Sequence, residues 1–403
     1  MKSVRFNFLM NFILTASGLV FPLITHPYVT RVLGPEGIGQ ADFASSVVSY
    51  FIMLTMLGVP TYGIRACAQV RDDKEKLSQT VQELMILNGG MALVCYGLLA
   101  ASMLLVGRFQ SVRELIWISS AGIVLNALGV NWFYSAIEEY AYITVRSLIF
   151  KVLSVVIMFL FVRSTDDVAW YSLVILTASF GSYVLNFIRL RKYITFRRFP
   201  RYRILPHLKV SLVFFAMAVA TTVYTNLDVV MLGFMRGDAE VGYYDTAVRV
   251  KGILVSLVTS LGAVLLPRLS YYVQKGDRAE FASILRKAVR FVLFAAVPLT
   301  VFFILCARES VLVLSGDKFL PSVRAMQYIM PTVLLIGLTN ILGIQIMVPM
   351  GREKQVTLSV TVGGAVDLVL NALLIPVLGA AGAALGTLAA EFSVLIAQLL
   401  LGR

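Results

Sequence analysis

Residues 6–29, FNFLMNFILTASGLVFPLITHPYV, decide the fold. They follow two basic residues, Lys2 and Arg5, and so imitate a secretory signal. The apolar core of a signal is about 7–15 residues long. This run is longer, and His26 is its one ionisable side chain. Its length matches the roughly 20 residues a helix needs to cross a bilayer. It reads as a first span, at 7–29, that is retained.

The pattern recurs at 42–64, 81–106, 115–137, 142–162, 168–188, 210–235, 243–267, 284–306, 323–348, 356–376 and 380–401. Composition agrees. Mean hydropathy is +0.84 and 14% of residues are charged, against about 25% in soluble domains. The longest polar segment lies around 189–209, so no soluble domain can be carved from the 403 residues. The expected fold is an all-α polytopic membrane protein with about twelve transmembrane helices.

The net charge of +13 could point to nucleic acid, but its distribution does not. With the N-terminus inside, the inner loops carry Lys2, Arg5, Arg65, Arg71, Lys74, Lys76, Lys275, Arg278, Arg286, Lys287, Arg352 and Lys354. They also carry the basic run from Arg189 to Lys209. The outer loops carry only Arg31, Arg108, Arg113, Arg163, Arg236, Arg308 and Lys318. That asymmetry places both termini in the cytoplasm. The outer loops are too short for a catalytic domain. Cys67, Cys95 and Cys306 are scattered, and His26 and His207 are the only histidines, so no metal or redox centre is expected. No phosphate-binding loop, nucleophile elbow, zinc motif or dinucleotide fingerprint is present, and no cofactor or enzymatic activity is expected. Asp166-Asp167 is an acidic doublet in an outer loop and a weak catalytic signal.

The run RLRKYITFRRFPRYRILPHLK (189–209) divides the chain into a six-helix lobe at 1–188 and a second at 210–403, joined by a basic cytoplasmic linker. Parallel repeats of this kind are a transporter plan. Leu33-Gly34 followed by Gly39-Gln-Ala-Asp42-Phe-Ala44 is matched by Leu232-Gly233 followed by Gly242-Tyr-Tyr-Asp245-Thr-Ala247, with four more residues between the parts in the second copy. Asp42 and Asp245 are expected near the start of the following helix, where the dipole favours a carboxylate.

Ionisable residues inside the membrane cost about 2.5–3.5 kcal/mol each on insertion scales and mark partners or pathways. They are Lys151, Asp228, Arg249, Lys251, Asp367 and Glu391, with Arg31 and Arg65 at span ends. Arg249 and Lys251 project about 200° apart on one helix. Arg249 is also four residues from Asp245, so it is either that residue's ion-pair partner or a cationic surface for a ligand. Asp228, Asp367 and Glu391 are candidates for a coupling ion, with Asp42 and Asp245 beside them. Asn226, Asn340 and Asn371 are expected to bond between helices.

Taken in order, several runs resemble the bacterial polysaccharide (O-antigen type) flippases of the multidrug/oligosaccharidyl-lipid/polysaccharide exporter superfamily. They are RVLGPEGIG (31–39), LGVPTYGIRACA (57–68), NLD (226–228), VGYYDTAVR (241–249) and NALLIP (371–376) followed by GAAGAA (379–384). The resemblance implies two six-helix lobes around a central cavity and alternating access. It also implies movement of an undecaprenyl-diphosphate-linked oligosaccharide from the cytoplasmic to the periplasmic leaflet, in company with polysaccharide polymerase machinery. Arg249, Lys251, Arg31 and Arg65, with Lys151 as a weaker member, would meet the diphosphate. An H+ or Na+ gradient would supply the work. The lipid II branch carries arginines within its first span and residues 6–30 here carry none, which favours a surface-polysaccharide substrate. The alternatives are a cation-coupled multidrug exporter, which would want buried acids, and a membrane polymerase.

Overall fold

The computed structural model describes residues 4–402; Lys2 lies outside them. The described chain is helical throughout its ordered elements, with no strand among the described residues. The first helix, α1 (Val4–Met56), bends at Gly34. There follow α2 (Val59–Gln69), α3 (Lys74–Leu105), α4 (Arg113–Gly129), α5 (Asn131–Ala136), α6 (Tyr140–Phe161) and α7 (Val168–Leu190), the last with a π-turn at Thr177–Gly181. After a non-helical strap come α8 (Ile204–Met235), α9 (Asp238–Lys275), α10 (Arg278–Leu305), α11 (Ser322–Met347), α12 (Glu353–Leu378) and α13 (Ala380–Leu401).

Nine stretches among the described residues are long and apolar enough to cross a membrane. The first of these, Leu9–Gln69, has 61 residues. At 1.5 Å per residue that is about three times a 30 Å hydrocarbon core, and it supplies two crossings, one on either side of Gly34. With α8 and α9 the architecture is the twelve-helix one expected.

Two compact units are present: Met1–Leu33 with Gln40–Asn226, and Gly34–Gly39 with Leu227–Arg403. In the first, Trp132, Phe133 and Tyr134 of α5 are buried against Leu84 of α3 and Leu190 of α7. Gly63 makes room for the indole, because a Cβ there would lie 2.7 Å from the Trp132 ring. Arg146 of α6 is 2% exposed and has no carboxylate partner among the described residues. Its guanidinium donates to Ser182 Oγ at 2.7 Å and Asn131 Oδ1 at 2.5 Å, with the Tyr142 and Tyr183 rings 5.6 and 5.2 Å away. Aromatic faces and neutral acceptors stand in for a counter-charge.

The strap, residues 191–203, is tied to one face of α3. Ser78, Gln79, Gln82 and Glu83 fall on neighbouring turns of that face. Gln82 Nε2 donates to Thr195 O at 2.7 Å, and Gln79 Nε2 donates to Arg201 O at 3.0 Å. Thr195 N donates to Ser78 Oγ at 3.0 Å, and Arg203 N donates to Glu83 Oε1 at 2.7 Å. The other oxygen of Glu83 shares a 2.7 Å hydrogen bond with His207 Nε2, whose Nδ1 lies 2.7 Å from the Tyr62 hydroxyl. Glu83→Ala removes the acceptor for both the strap and His207. Each hydrogen bond to a charged group contributes about 1.5–3 kcal/mol. Trypsin should therefore cut the variant faster at Arg197, Arg198 and Arg201. An unchanged cleavage rate would show that the strap is held elsewhere.

The second unit opens on a glycine turn, and here the repeat becomes clear. Gly34 (φ 69°, ψ −179°) and Gly237 (φ 92°, ψ −174°) share one backbone conformation that is open essentially to glycine alone. The counterpart of Gly34 is therefore Gly237, not Gly233. The four extra residues vanish, and Gly34, Gly39, Asp42 and Ala44 map onto Gly237, Gly242, Asp245 and Ala247 at one constant offset. The two turns pack reciprocally. A Cβ on Gly39 would lie 1.7 Å from Asp238 O, and one on Gly242 would lie 2.1 Å from Pro35 O. Because helix resumes directly after each turn glycine, Asp42 and Asp245 sit about two turns inside their helices. The helix-start role expected of them does not hold, since the dipole effect fades within the first turn.

Candidate functional site: a buried oxygen cluster

Four helices, α8 through its last residues, each place polar side chains on one face within the second unit. α8 contributes Asp228, α9 contributes Tyr244 and Lys251, α12 contributes Asp367 and Asn371, and α13 contributes Thr387 and Glu391. The spacings of four and seven residues put each helical pair on a common stripe.

Asp228 is the centre and is 7% exposed. Asn371 Nδ2 donates to its Oδ1 at 2.6 Å, Thr387 Oγ1 donates to its Oδ2 at 2.9 Å, and the Tyr244 hydroxyl donates to that same Oδ2. Asp367, 2% exposed, faces Asp228, and the charges of Lys251 and Glu391 act on it as well. Two buried carboxyls this close repel unless a proton or cation sits with them. Asp367 Oδ1 and Asn371 Oδ1 are buried acceptors without a donor among the described residues.

Small residues make the approach possible. A Cβ on Gly386 would lie 2.2 Å from Asn371 Oδ1 and 3.5 Å from Asp367 Oδ1, so any side chain there would displace the amide. Gly382 and Gly363 bring α12 and α13 together, with a Cβ at each falling 2.5 Å from Leu374 O and 2.3 Å from Val394. Such small-residue contacts are how helices close on one another in lipid. The hairpin between the two helices is capped from α9, where Glu240 accepts from Ala380 N at 2.6 Å.

The acceptors of the cluster are all oxygens, with the Lys251 ammonium among them, and no group of three His, Cys, Asp or Glu suited to a metal occurs among the described residues. Carboxylate, amide and hydroxyl oxygens suit a hard, small cation or a proton.

The predicted site residues sort unevenly. The structure brings together Asp228, Asp367, Glu391 and Lys251. It separates Lys251 from Arg249, whose Nε donates to Asp245 at 2.5 Å in the i,i+4 ion pair anticipated from their spacing. Arg31 is exposed and donates to Pro27 O at 2.6 Å, and Arg65 is exposed. Lys151 Nζ donates to Ser17 Oγ at 2.8 Å. Asp42 lies with these three in the first unit. Of the asparagines, Asn371 bonds between helices as expected. Asn226 instead donates to Thr222 O within α8, and Asn340 accepts from Gln345 within α11. Sequence reasoning missed Tyr244 and Thr387, which carry no charge. It also passed over Arg146 and Glu83, although both are ionisable residues inside apolar runs. Asp167, of the acidic doublet, folds back on its own loop. It accepts from Arg163 N and Ser164 N at 2.9 and 2.7 Å, and these bonds hold its carboxyl below the usual carboxylate range.

The profile of the family described as polysaccharide biosynthesis protein matches residues 5–273. The chain belongs to that family. Two relatives matched along nearly their whole length carry the name "Putative O-antigen transporter". That of Escherichia coli K12 is 23% identical, over 96% of this chain and 94% of its own. That of Shigella dysenteriae is 24% identical, over 98% of each. Among solved structures, the lipid II flippase MurJ in an inward closed conformation superposes with a TM-score of 0.78 at 16% identity. It covers 98% of this chain and 87% of its own. An inward-facing multidrug resistance MATE transporter gives 0.72 at 14% identity, covering 95% and 93%. At those identities the likeness establishes the fold alone, a multi-pass helical one.

Proposed function

We propose that the protein moves an undecaprenyl-diphosphate-linked oligosaccharide from the cytoplasmic to the periplasmic leaflet of the bacterial inner membrane. It does so by alternating access coupled to an H+ or Na+ gradient. The observation that carries the reading is the Asp228 cluster within a transporter fold. A cation or proton that enters between Asp228 and Asp367 relieves their repulsion and binds best to the state in which the oxygens converge. That differential affinity is what couples a gradient to a conformational change. Lys251 belongs with this cluster, as a resident positive charge among the acids.

The relatives named for O-antigen transport support a glycan-lipid cargo. So does a cavity of about 520 Å³ in the first unit, lined by Ser49, Thr61, Asn126, Thr222 and Asn226 beside apolar side chains. Hydroxyl and amide groups of that kind match a sugar surface, whereas a cationic drug would meet no carboxylate among the lining residues. Arg249, Arg31 and Arg65, with Lys151, are the diphosphate contacts in this reading, and arginine suits paired hydrogen bonds to phosphate. Both termini are cytoplasmic, and the polymerase machinery takes the product on the far side.

The test is the sidedness of lipid-linked oligosaccharide in cells lacking the gene and then restored. Accumulation on the cytoplasmic face that clears on restoration is expected. Outward placement without the gene, in cells with no redundant flippase, would overturn the proposal in favour of drug export. Arg249→Ala should lower export about ten-fold at unchanged membrane insertion, the loss of one charged hydrogen bond to cargo. Arg249→Lys should recover part of it. Normal export by the alanine variant would remove Arg249 from the contact set.

A further inference from the structure

Several features of the strap have no part in the transport site. No acidic residue occurs between Asp167 and Asp228. Within that interval Arg191, Lys192, Arg197, Arg198, Arg201 and Arg203 are all exposed, and none has an ion-pair partner among the described residues. The strap is nonetheless fixed, because α3 holds it by main-chain atoms, Thr195 N and O, Arg197 O, Arg201 O and Arg203 N, and by the uncharged hydroxyls of Thr195 and Tyr202. Ile194 and Phe199 anchor it from below as buried side chains. Binding the main chain leaves the cationic side chains facing outward.

At the junction of α7 and the strap lies a concavity of about 450 Å³, lined by Phe187, Arg191, Ile194, Thr195 and Phe196. The Phe187 and Phe196 rings are 6.2 Å apart. Val184 and Ile188 of α7 are exposed, and with Arg191 they continue one helical stripe into this concavity. The result is an apolar track about a turn and a half long, ending at a guanidinium, with an aromatic pair at its mouth and further cations around it.

We propose that this junction is a binding site for an anionic phospholipid of the leaflet that faces the strap, with the acyl chain along Val184 and Ile188 and the phosphate on Arg191, Arg197 and Arg198. Basic pockets beside membrane helices take acidic headgroups in this way, and aromatic rings settle at the headgroup level. The site is separate from the transport cluster and does not depend on the cargo proposed above.

The test is native mass spectrometry of the full chain titrated with phosphatidylglycerol or phosphatidylcholine. Wild type should retain phosphatidylglycerol preferentially, and less at high salt. R191Q/R197Q/R198Q should bind it about a hundred-fold more weakly, at about two-thirds of a decade per cation. K275Q/R278Q/K287Q, on another basic turn, should bind as wild type does. Equal retention of the two lipids, or equal loss in both triple variants, would overturn the proposal. Displacement of phosphatidylglycerol by an equimolar polyprenyl diphosphate would also overturn it, by assigning the site to the cargo. If the strap variant does not fold, a photoactivatable phosphatidylglycerol on wild type decides. Crosslinks within 184–198 support the site, and crosslinks only elsewhere refute it.

Discussion

Gly39→Ala and Gly242→Ala are each expected to destabilise the protein by about 3 kcal/mol, the upper part of the range for overpacking. Both methyl groups would meet main-chain atoms: Asp238 O and the Gly242 nitrogen in one case, Pro35 O and the Pro35 carbonyl carbon in the other. A flexible side chain could swing away from a methyl group, but a carbonyl within a helical turn cannot without moving the helix. The measurement is the unfolding midpoint of the purified protein in detergent, read beside export in cells. Gly97→Ala is the control, because a Cβ there meets nothing within 4 Å. Alanine in a helix interior is neutral or mildly favourable. A midpoint unchanged by Gly242→Ala would refute the reciprocal packing of the two turns.

Asp228→Asn should fold and yet transport without response to collapse of the ion gradient, or fail to transport at all. The substitution keeps the shape but replaces one acceptor with a donor facing Tyr244, Thr387 or Asn371, and it removes the charge a cation would neutralise. Asp228→Ala should cost more in stability, about 3 kcal/mol, because it strands the Asn371 amide and the Tyr244 hydroxyl in a buried setting. Gradient-sensitive transport at the wild-type level by Asp228→Asn would remove the cluster from the coupling mechanism. Asp367→Asn offers an independent check, since it abolishes the same repulsion from the other side.

The number of spans was legible because each of the twelve apolar runs is long enough to be read alone. The buried acids were legible for the same reason, since a charge inside such a run stands out against its neighbours. Their grouping was not. Asp228, Asp367 and Glu391 are far apart in the chain, and only the glycine-lined closure of α12 on α13 shows that they meet. Tyr244 and Thr387 were invisible because a hydroxyl in a membrane helix usually satisfies itself on the preceding turn. The repeat was found but paired out of register. Identity of the Leu-Gly dipeptide led to Gly233, whereas what is repeated is a backbone conformation, and conformation is carried by Gly237. Arg249 was read with two roles open. The structure supplies its ion pair with Asp245, while its part in cargo binding rests on the export measurement.

The attachment of the strap has a consequence for how this protein can change. Its holding points on Arg197, Arg201 and Arg203 are amide and carbonyl groups, which every residue except proline offers alike. The electrical character of this surface is thereby decoupled from the architecture that supports it. Descendants living in membranes of different composition could rewrite the arginines, even invert their sign, and keep the same scaffold beneath.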